Sequence, residues 1–176
     1  MTKYALVYAG ALYDLAADEH LEDEILKDLG RICSCLREIP EYRKMLMTPA
    51  ISKDERKKLI REAWQGNLHQ YTINFLSMLC DGDAISELLN CEEEFKNRYN
   101  EAKGIVEVSV TSAVALTEEQ KARLKSALEK KIGKTAVLNE KVDPSVIGGL
   151  KIEAGGRQYD NTIAFHLGNI AQLLSN

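Results

Sequence analysis

Apolar residues recur at helical spacing from the start of the chain to about residue 102, and strand-like alternation replaces that pattern beyond Gly104. In residues 3–17, Tyr4, Tyr8, Leu12 and Leu15 mark one side of an amphipathic helix. Ala5, Ala9, Ala11 and Ala16 keep its other faces thin enough for a second helix to come close. Leu21, Ile25, Leu29, Ile32 and Leu36 predict a helix from Leu21 to Glu38, and Pro40 ends it or opens the next turn. Glu41–Met47 reads as a short helix stopped by Pro49. Ser52 and Glu55 form a capping box, in which each side chain bonds the other residue's amide, and the helix they start runs to Gln65. A fifth helix is predicted over Leu68–Cys80, with Tyr71, Phe75 and Leu79 as its stripe, and Asp81-Gly82-Asp83 makes the turn after it. The sixth runs from Ala84 to Ala102. Ile85, Leu88, Leu89, Phe95 and Tyr99 face inward, and its charged second half, Glu92 onward, is expected to run out of the bundle.

Gly104 is the natural hinge. Val106, Val108 and Val110 then alternate with Glu107 and Ser109 as a half-buried strand. Thr117 and Gln120 form a second capping box, before a helix carrying Leu124, Leu128 and Ile132. Ala136–Val142 alternates less cleanly, with Ala136, Leu138 and Val142 on one face. Asp143-Pro144 signals a turn, and Val146–Ile152 reads as a short buried strand. Gly148-Gly149 inside it point to a bulge or to the close approach of another backbone. Gly155-Gly156 close that strand, and Asp160 is placed to cap a last helix with the stripe Ile163, Leu167, Ile170 and Leu174. The expected fold is mostly α: an N-terminal six-helix bundle over residues 1–104 and a small α/β C-terminal domain over 105–176, its sheet of about three strands covered by helices.

Composition narrows the function. With 176 residues, 45% of them hydrophobic, the chain can build two small cores, each of which would lean on partners. A net charge of −4 does not call for the basic face that a nucleic-acid binder usually shows, and the local basic run Arg56-Lys57-Lys58 reads as a solvated helix face. No run of apolar residues is long enough to insert in a membrane, and no secretory signal opens the chain. Cys33 and Cys35 point to opposite sides of their helix, so with Cys80 and Cys91 they read as free thiols packed like small apolar groups.

The motifs that would carry chemistry are incomplete. Gly149 and Gly155, followed by Gly-Arg, lack both the spacing and the lysine of a phosphate loop. Asp81, Asp83 and Glu92 sit at three positions of a calcium-loop frame, but Ile85 and Ser86 occupy places that need an acid and a glycine. His20, His69 and His166 have no second ligand at metal spacing. Glu92-Glu93-Glu94 could hide a carboxylate pair, although a solvated face is the commoner meaning of such a run. No catalytic residue, cofactor or metal site is expected, and the residues alone describe an interaction protein with helix faces for a partner's helix.

Three stretches carry a family resemblance. Asp143-Pro-Ser-Val-Ile-Gly-Gly-Leu-Lys-Ile152, with Gly155, Asp160 and the terminal leucines, is similar to the C-terminal signature of the delta subunit of F-type ATP synthases, whose mitochondrial relative is the oligomycin sensitivity-conferring protein. Tyr8 to Ala16 (YAGALYDLA) resembles the family's first helix, and Val106 to Ala113 with Leu116 to Gln120 resembles its entry into the second domain. The likeness spans the chain in order. One departure stands out: the family commonly has an arginine after the turn that follows the fifth helix, where this chain has Ala84-Ile85, so no role is carried over there.

The resemblance implies a non-catalytic stator that links the catalytic head to the peripheral stalk, so that torque drives ATP synthesis elsewhere in the complex. It implies one copy per complex, at the cytoplasmic face of a bacterial membrane. A groove between the first and fifth helices would receive the N-terminal helix of an alpha subunit, with Tyr8, Ala11, Leu12 and Leu15 on one side and Phe75, Met78 and Leu79 on the other. Core packing competes for all of these and is favoured for Phe75 and Leu15; the groove is favoured for Tyr8, Ala11 and Met78. Ile163, Leu167, Ile170 and Leu174 would meet the b subunits of the stalk, with at least half of them needed for the domain's own core. The rival reading is a helical adaptor or regulator outside the synthase, RNA-associated in one version, since small bundles host many functions.

Overall fold

The structure, a computed structural model, describes residues 3–48, 50–154 and 157–163. The chain is mostly helical, with seven α-helices and one four-stranded sheet among the described residues. It divides into two compact units, Met1–Tyr99 and Asn100–Asn176.

The first unit contains α1 (Lys3–Asp18), α2 (Glu22–Glu38), α3 (Pro40–Met47), α4 (Lys53–Trp64), α5 (Gln70–Asp81) and most of α6 (Leu88–Lys103). All six contribute to one apolar core, including Ala9, Ile25, Leu29, Leu46, Ile60, Leu76, Leu79, Leu88 and Phe95. Helix α1 buries its alanine face: Ala5, Ala9, Leu12 and Ala16 are inside, while Tyr4 and Leu15 stay out. Small side chains let the α1 backbone approach its neighbours, and the larger ones are left for the opposite side. Pro40 starts α3 at a position where its missing N–H costs nothing. Both halves of the Ser52–Glu55 capping box form at the head of α4.

Helix α6 departs from its expected course. A short 3-10 turn over Ile85–Glu87 precedes it, and its charged half stays packed as far as Phe95, while Lys96 and residues 101–103 are exposed. Phe95 is fully buried, edge-on to Tyr13 with ring centroids 5.3 Å apart, and the Tyr99 hydroxyl donates to Asp23. Glu94, expected on a solvated face, is buried; it accepts from Arg98 Nε at 2.9 Å, one turn along. Phe95 holds this stretch against the core, the Tyr99–Asp23 hydrogen bond ties its surface to α2, and Glu94 finds a partner in Arg98.

The second unit is built on β1 (Ile105–Ser112), α7 (Glu118–Ile132), β2 (Thr135–Val142), β3 (Leu150–Ala154) and β4 (Arg157–Asp160). The strand order is β2-β1-β3-β4. Strands β1 and β2 run parallel with α7 as their crossover, and β3 and β4 add antiparallel neighbours. Val108, Val110 and Ala136 form the buried centre, with Leu124 and Leu128 of α7 over them. Val142, expected to face inward with Ala136, is 51% exposed at the end of β2.

The strand expected over Val146–Ile152 begins later, at Leu150, because Pro144–Val146 form a 3-10 turn held by Asp143. Of the paired glycines, Gly149 marks the approach of another backbone: a Cβ there, where φ is +83°, would lie 2.2 Å from the carbonyl oxygen of Asn161. Asp160 ends β4, and its Oδ1 accepts from the amide and the hydroxyl of Thr162. Pro49, Gly155, Gly156 and most of the predicted last helix lie outside the described residues.

Candidate partner-docking surface

The unusual surface of the first unit is the outer side of α1. Tyr4 is 64% exposed, Val7 62% and Leu15 40%, and Ala11 is exposed between them. Spacings of three and four residues put them on one stripe. Tyr8 sits at its inner edge, half-buried, its ring stacked on Tyr4 at 6.5 Å with 15° between the planes. A single exposed leucine means little, but an apolar stripe three turns long along a helix is the surface a partner covers.

The stripe meets α5 at that helix's C-terminal end. Tyr8 reaches Gly82, where an added Cβ would lie 3.0 Å from the tyrosine hydroxyl and 3.5 Å from the carbonyl oxygen of Met78. Met78 is 42% exposed, and Asn74 is exposed one turn before it.

The seven residues predicted for the groove therefore separate by burial. Ala11, Leu15 and Met78 are exposed and Tyr8 is half-buried. Leu12, Phe75 and Leu79 lie in the core, where no partner reaches them without displacing core atoms. Leu15, expected in the core, is on the surface, because Leu12 and Ala16 already fill the inner face of that turn. The sequence reading misses Tyr4 and Val7 as surface anchors. Their signal is local: they share the spacing of Ala11 and Leu15, on the side opposite the buried alanines.

Helix α5 is fixed at both ends. At its start, Asp28 of α2 is buried, and its Oδ2 accepts from the His69 amide at 2.7 Å and the Thr72 hydroxyl at 3.1 Å. His69 caps the helix through Nδ1, which accepts from the Tyr71 amide. At its end, Lys57 of α4 is 2.7 Å from Asp81 and Lys53 is 2.7 Å from Asp83. The hydrogen bond to Asp81, with another to Asp54, holds the Lys57 ammonium above its ordinary range. Cations at the carboxyl end of a helix also suit its dipole.

These pairings bear on the calcium-loop frame. Asp81, Asp83 and Glu92 are taken by Lys57, Lys53 and Arg37, and the carboxylate of Glu92 is 2.6 Å from Arg37. Among the described residues no three histidine, cysteine, aspartate or glutamate side chains are grouped to hold a metal ion. Cys33, Cys80 and Cys91 are buried, and burial pushes all three thiols up, Cys91 to about 12.

In the second unit Ile163 is 48% exposed, while Leu167, Ile170 and Leu174 lie outside the described residues. The sequence reading does not locate a separate apolar groove lined by Val106, Leu128, Ile132, Ile152 and Tyr159. The ammonium of Lys131 lies 4.8 Å from the centre of the Tyr159 ring at its rim. That groove joins the end of α7 to three strands, and α7–strand contacts of this kind cannot be read from spacing.

Comparison with known proteins gives one consistent answer. The family model described as ATP synthase delta (OSCP) subunit matches residues 5–174. An ATP synthase subunit delta of Desulfitobacterium hafniense is 37% identical over 169 residues, covering 96% of this chain and 94% of the relative. One from Exiguobacterium sibiricum is 33% identical over 156 residues, covering 89% and 88%. A chain in the cryo-EM structure of the Toxoplasma gondii mitochondrial ATP synthase hexamer shares the fold, with a TM-score of 0.80 over 99% of both chains at 18% identity.

Proposed function

The chain belongs to the ATP synthase delta (OSCP) subunit family, a non-catalytic component of the synthase's peripheral stalk, and from that premise we propose that the outer stripe of α1 and the end of α5 form its seat on the catalytic head. The occupant is the N-terminal helix of an alpha subunit. Tyr4, Val7, Ala11, Leu15 and Met78 contact it, with Tyr8 at the edge. The observation that carries this reading is the arrangement of α1, which buries Ala5, Ala9, Leu12 and Ala16 and leaves Tyr4, Val7 and Leu15 exposed. A helix laid along such a stripe covers anchors at i, i+3, i+4 and i+7.

The helices α1–α6 act as one bundle on the head side, and the C-terminal part, beginning after Gly104, faces the b subunits. Ile163, Leu167, Ile170 and Leu174 are the stalk contacts, in a complex with one copy of this chain at the cytoplasmic face of a bacterial membrane. No helix among the described residues is long and apolar enough to cross a membrane. The mechanism is mechanical. A turning central shaft drags on the head, and a head tied through this chain to a fixed stalk cannot follow, so the torque does chemical work at the catalytic sites. The chain's own task is to bind tightly at two ends.

The test is a calorimetric titration of the full chain with a synthetic peptide of the cognate alpha subunit's N-terminus. One-to-one binding that is lost in Val7→Asp, with thermal stability unchanged, is the expected result. No binding by the folded chain would remove the docking assignment.

A further inference from the structure

Gly82 closes α5 with φ −83° and ψ 3°, a conformation open to any L-residue, so the backbone does not require glycine there. The space does. A Cβ at this position would stand 3.0 Å from the Tyr8 hydroxyl, tighter than carbon and oxygen ordinarily approach, and 3.9 Å from the ring carbon that bears it. Tyr8 is half-buried against the core and stacked on Tyr4, so its ring cannot lift away without disturbing that stack. The Gly82 amide donates to the Met78 carbonyl at 3.0 Å, which ties the same point to the exposed end of α5. The hydroxyl of Tyr8 makes no hydrogen bond among the described residues, so what it contributes at Gly82 is shape.

We propose that Gly82 is a positioning residue for the docking surface: its missing side chain is the notch that seats Tyr8, and through Tyr8 it sets the pose of Tyr4 and the junction between the α1 stripe and Met78. This rests on the reading that the stripe receives the alpha subunit's helix. A Cβ at position 82 pushes the tyrosine outward into the path of the incoming helix. The hydroxyl is the atom in conflict, so removing it restores the fit. Tyr8→Phe therefore repairs Gly82→Ala, which a simple loss of turn flexibility would not allow.

The experiment is a double-mutant cycle on the full chain, titrated with the alpha-subunit N-terminal peptide and followed in parallel by thermal unfolding. Gly82→Ala is expected to weaken peptide binding about tenfold, and Gly82→Ala with Tyr8→Phe to bind within about threefold of Tyr8→Phe alone, a coupling of the size that touching residues show. Equal weakening by Gly82→Ala with and without Tyr8→Phe overturns the proposal, as does unchanged affinity in Gly82→Ala. If Gly82→Ala fails to fold, recovery of folding by Tyr8→Phe supports the same contact and its absence overturns it. Failure of the unaltered chain to bind the peptide is a separate result that removes the docking reading itself.

Discussion

The carboxylate of Asp28, on α2, caps helix α5 through the amide of His69, 2.7 Å away. The same oxygen accepts from the hydroxyl of Thr72, and Arg31 stands 3.5 Å from the other oxygen. A buried charge is tolerated because every face it turns inward is met by a donor. The pairing spans 41 residues of sequence and locks the helix that carries Met78 to the second helix.

Removing that acceptor leaves the buried Thr72 hydroxyl and the part-buried His69 amide without a partner. Asp28→Ala is expected to lower stability by about 2–4 kcal/mol. Urea unfolding followed by circular dichroism measures it. A loss under about half a kilocalorie would mean that water replaces the carboxylate without cost.

The α1 stripe and the α1 core should separate cleanly. Val7→Asp changes an exposed position and is expected to leave stability within about 0.5 kcal/mol of the parent while abolishing partner binding. Leu12→Ala, at a buried position of the same helix, should cost about 2–4 kcal/mol through the cavity it leaves. Melting curves and peptide titrations of both variants decide. A strongly destabilised Val7→Asp would place that residue in packing rather than docking.

Gly149 should tolerate no side chain. Its φ of +83° and the carbonyl oxygen of Asn161 at 2.2 Å from an added Cβ act together. Gly149→Ala is expected to cost about 3 kcal/mol or more, because the obstacle is backbone and cannot rotate away. The loss should appear in amide exchange of β3 and β4 before that of α2. Uniform protection across the sheet in the variant would contradict it.

Thiol reactivity should follow burial. Cys35, the partly exposed one of the four, is expected to react with a disulfide reagent at about pH 8 in the folded protein. Cys91, pushed up to about 12 by burial and by Glu87, stays protonated at that pH, and Cys33 and Cys80 are likewise raised by burial. The expected count is one fast thiol before denaturant and four after it. Two fast thiols in the native state would show that the helices around Cys80 or Cys91 open readily.

Periodicity and caps are local, so the sequence alone determined most of the elements. The Ser52–Glu55 and Thr117–Gln120 boxes form as read, since each needs only residues three apart. The alternation Val106, Val108, Val110 likewise gave β1, and the ordered family stretches gave the functional class. Tertiary structure decided which apolar side of α1 faces in. Both sides carry apolar residues, and only neighbouring helices choose the thin alanine face over the broad one. It also decided the fate of Glu94, the place of Leu15, the late start of β3, and the meeting of Tyr8 with Gly82 from the far end of α5. Spacing records which residues share a face of one element. Which face is covered, and by what, depends on contacts between residues far apart in the chain, and those exist only once the chain has packed.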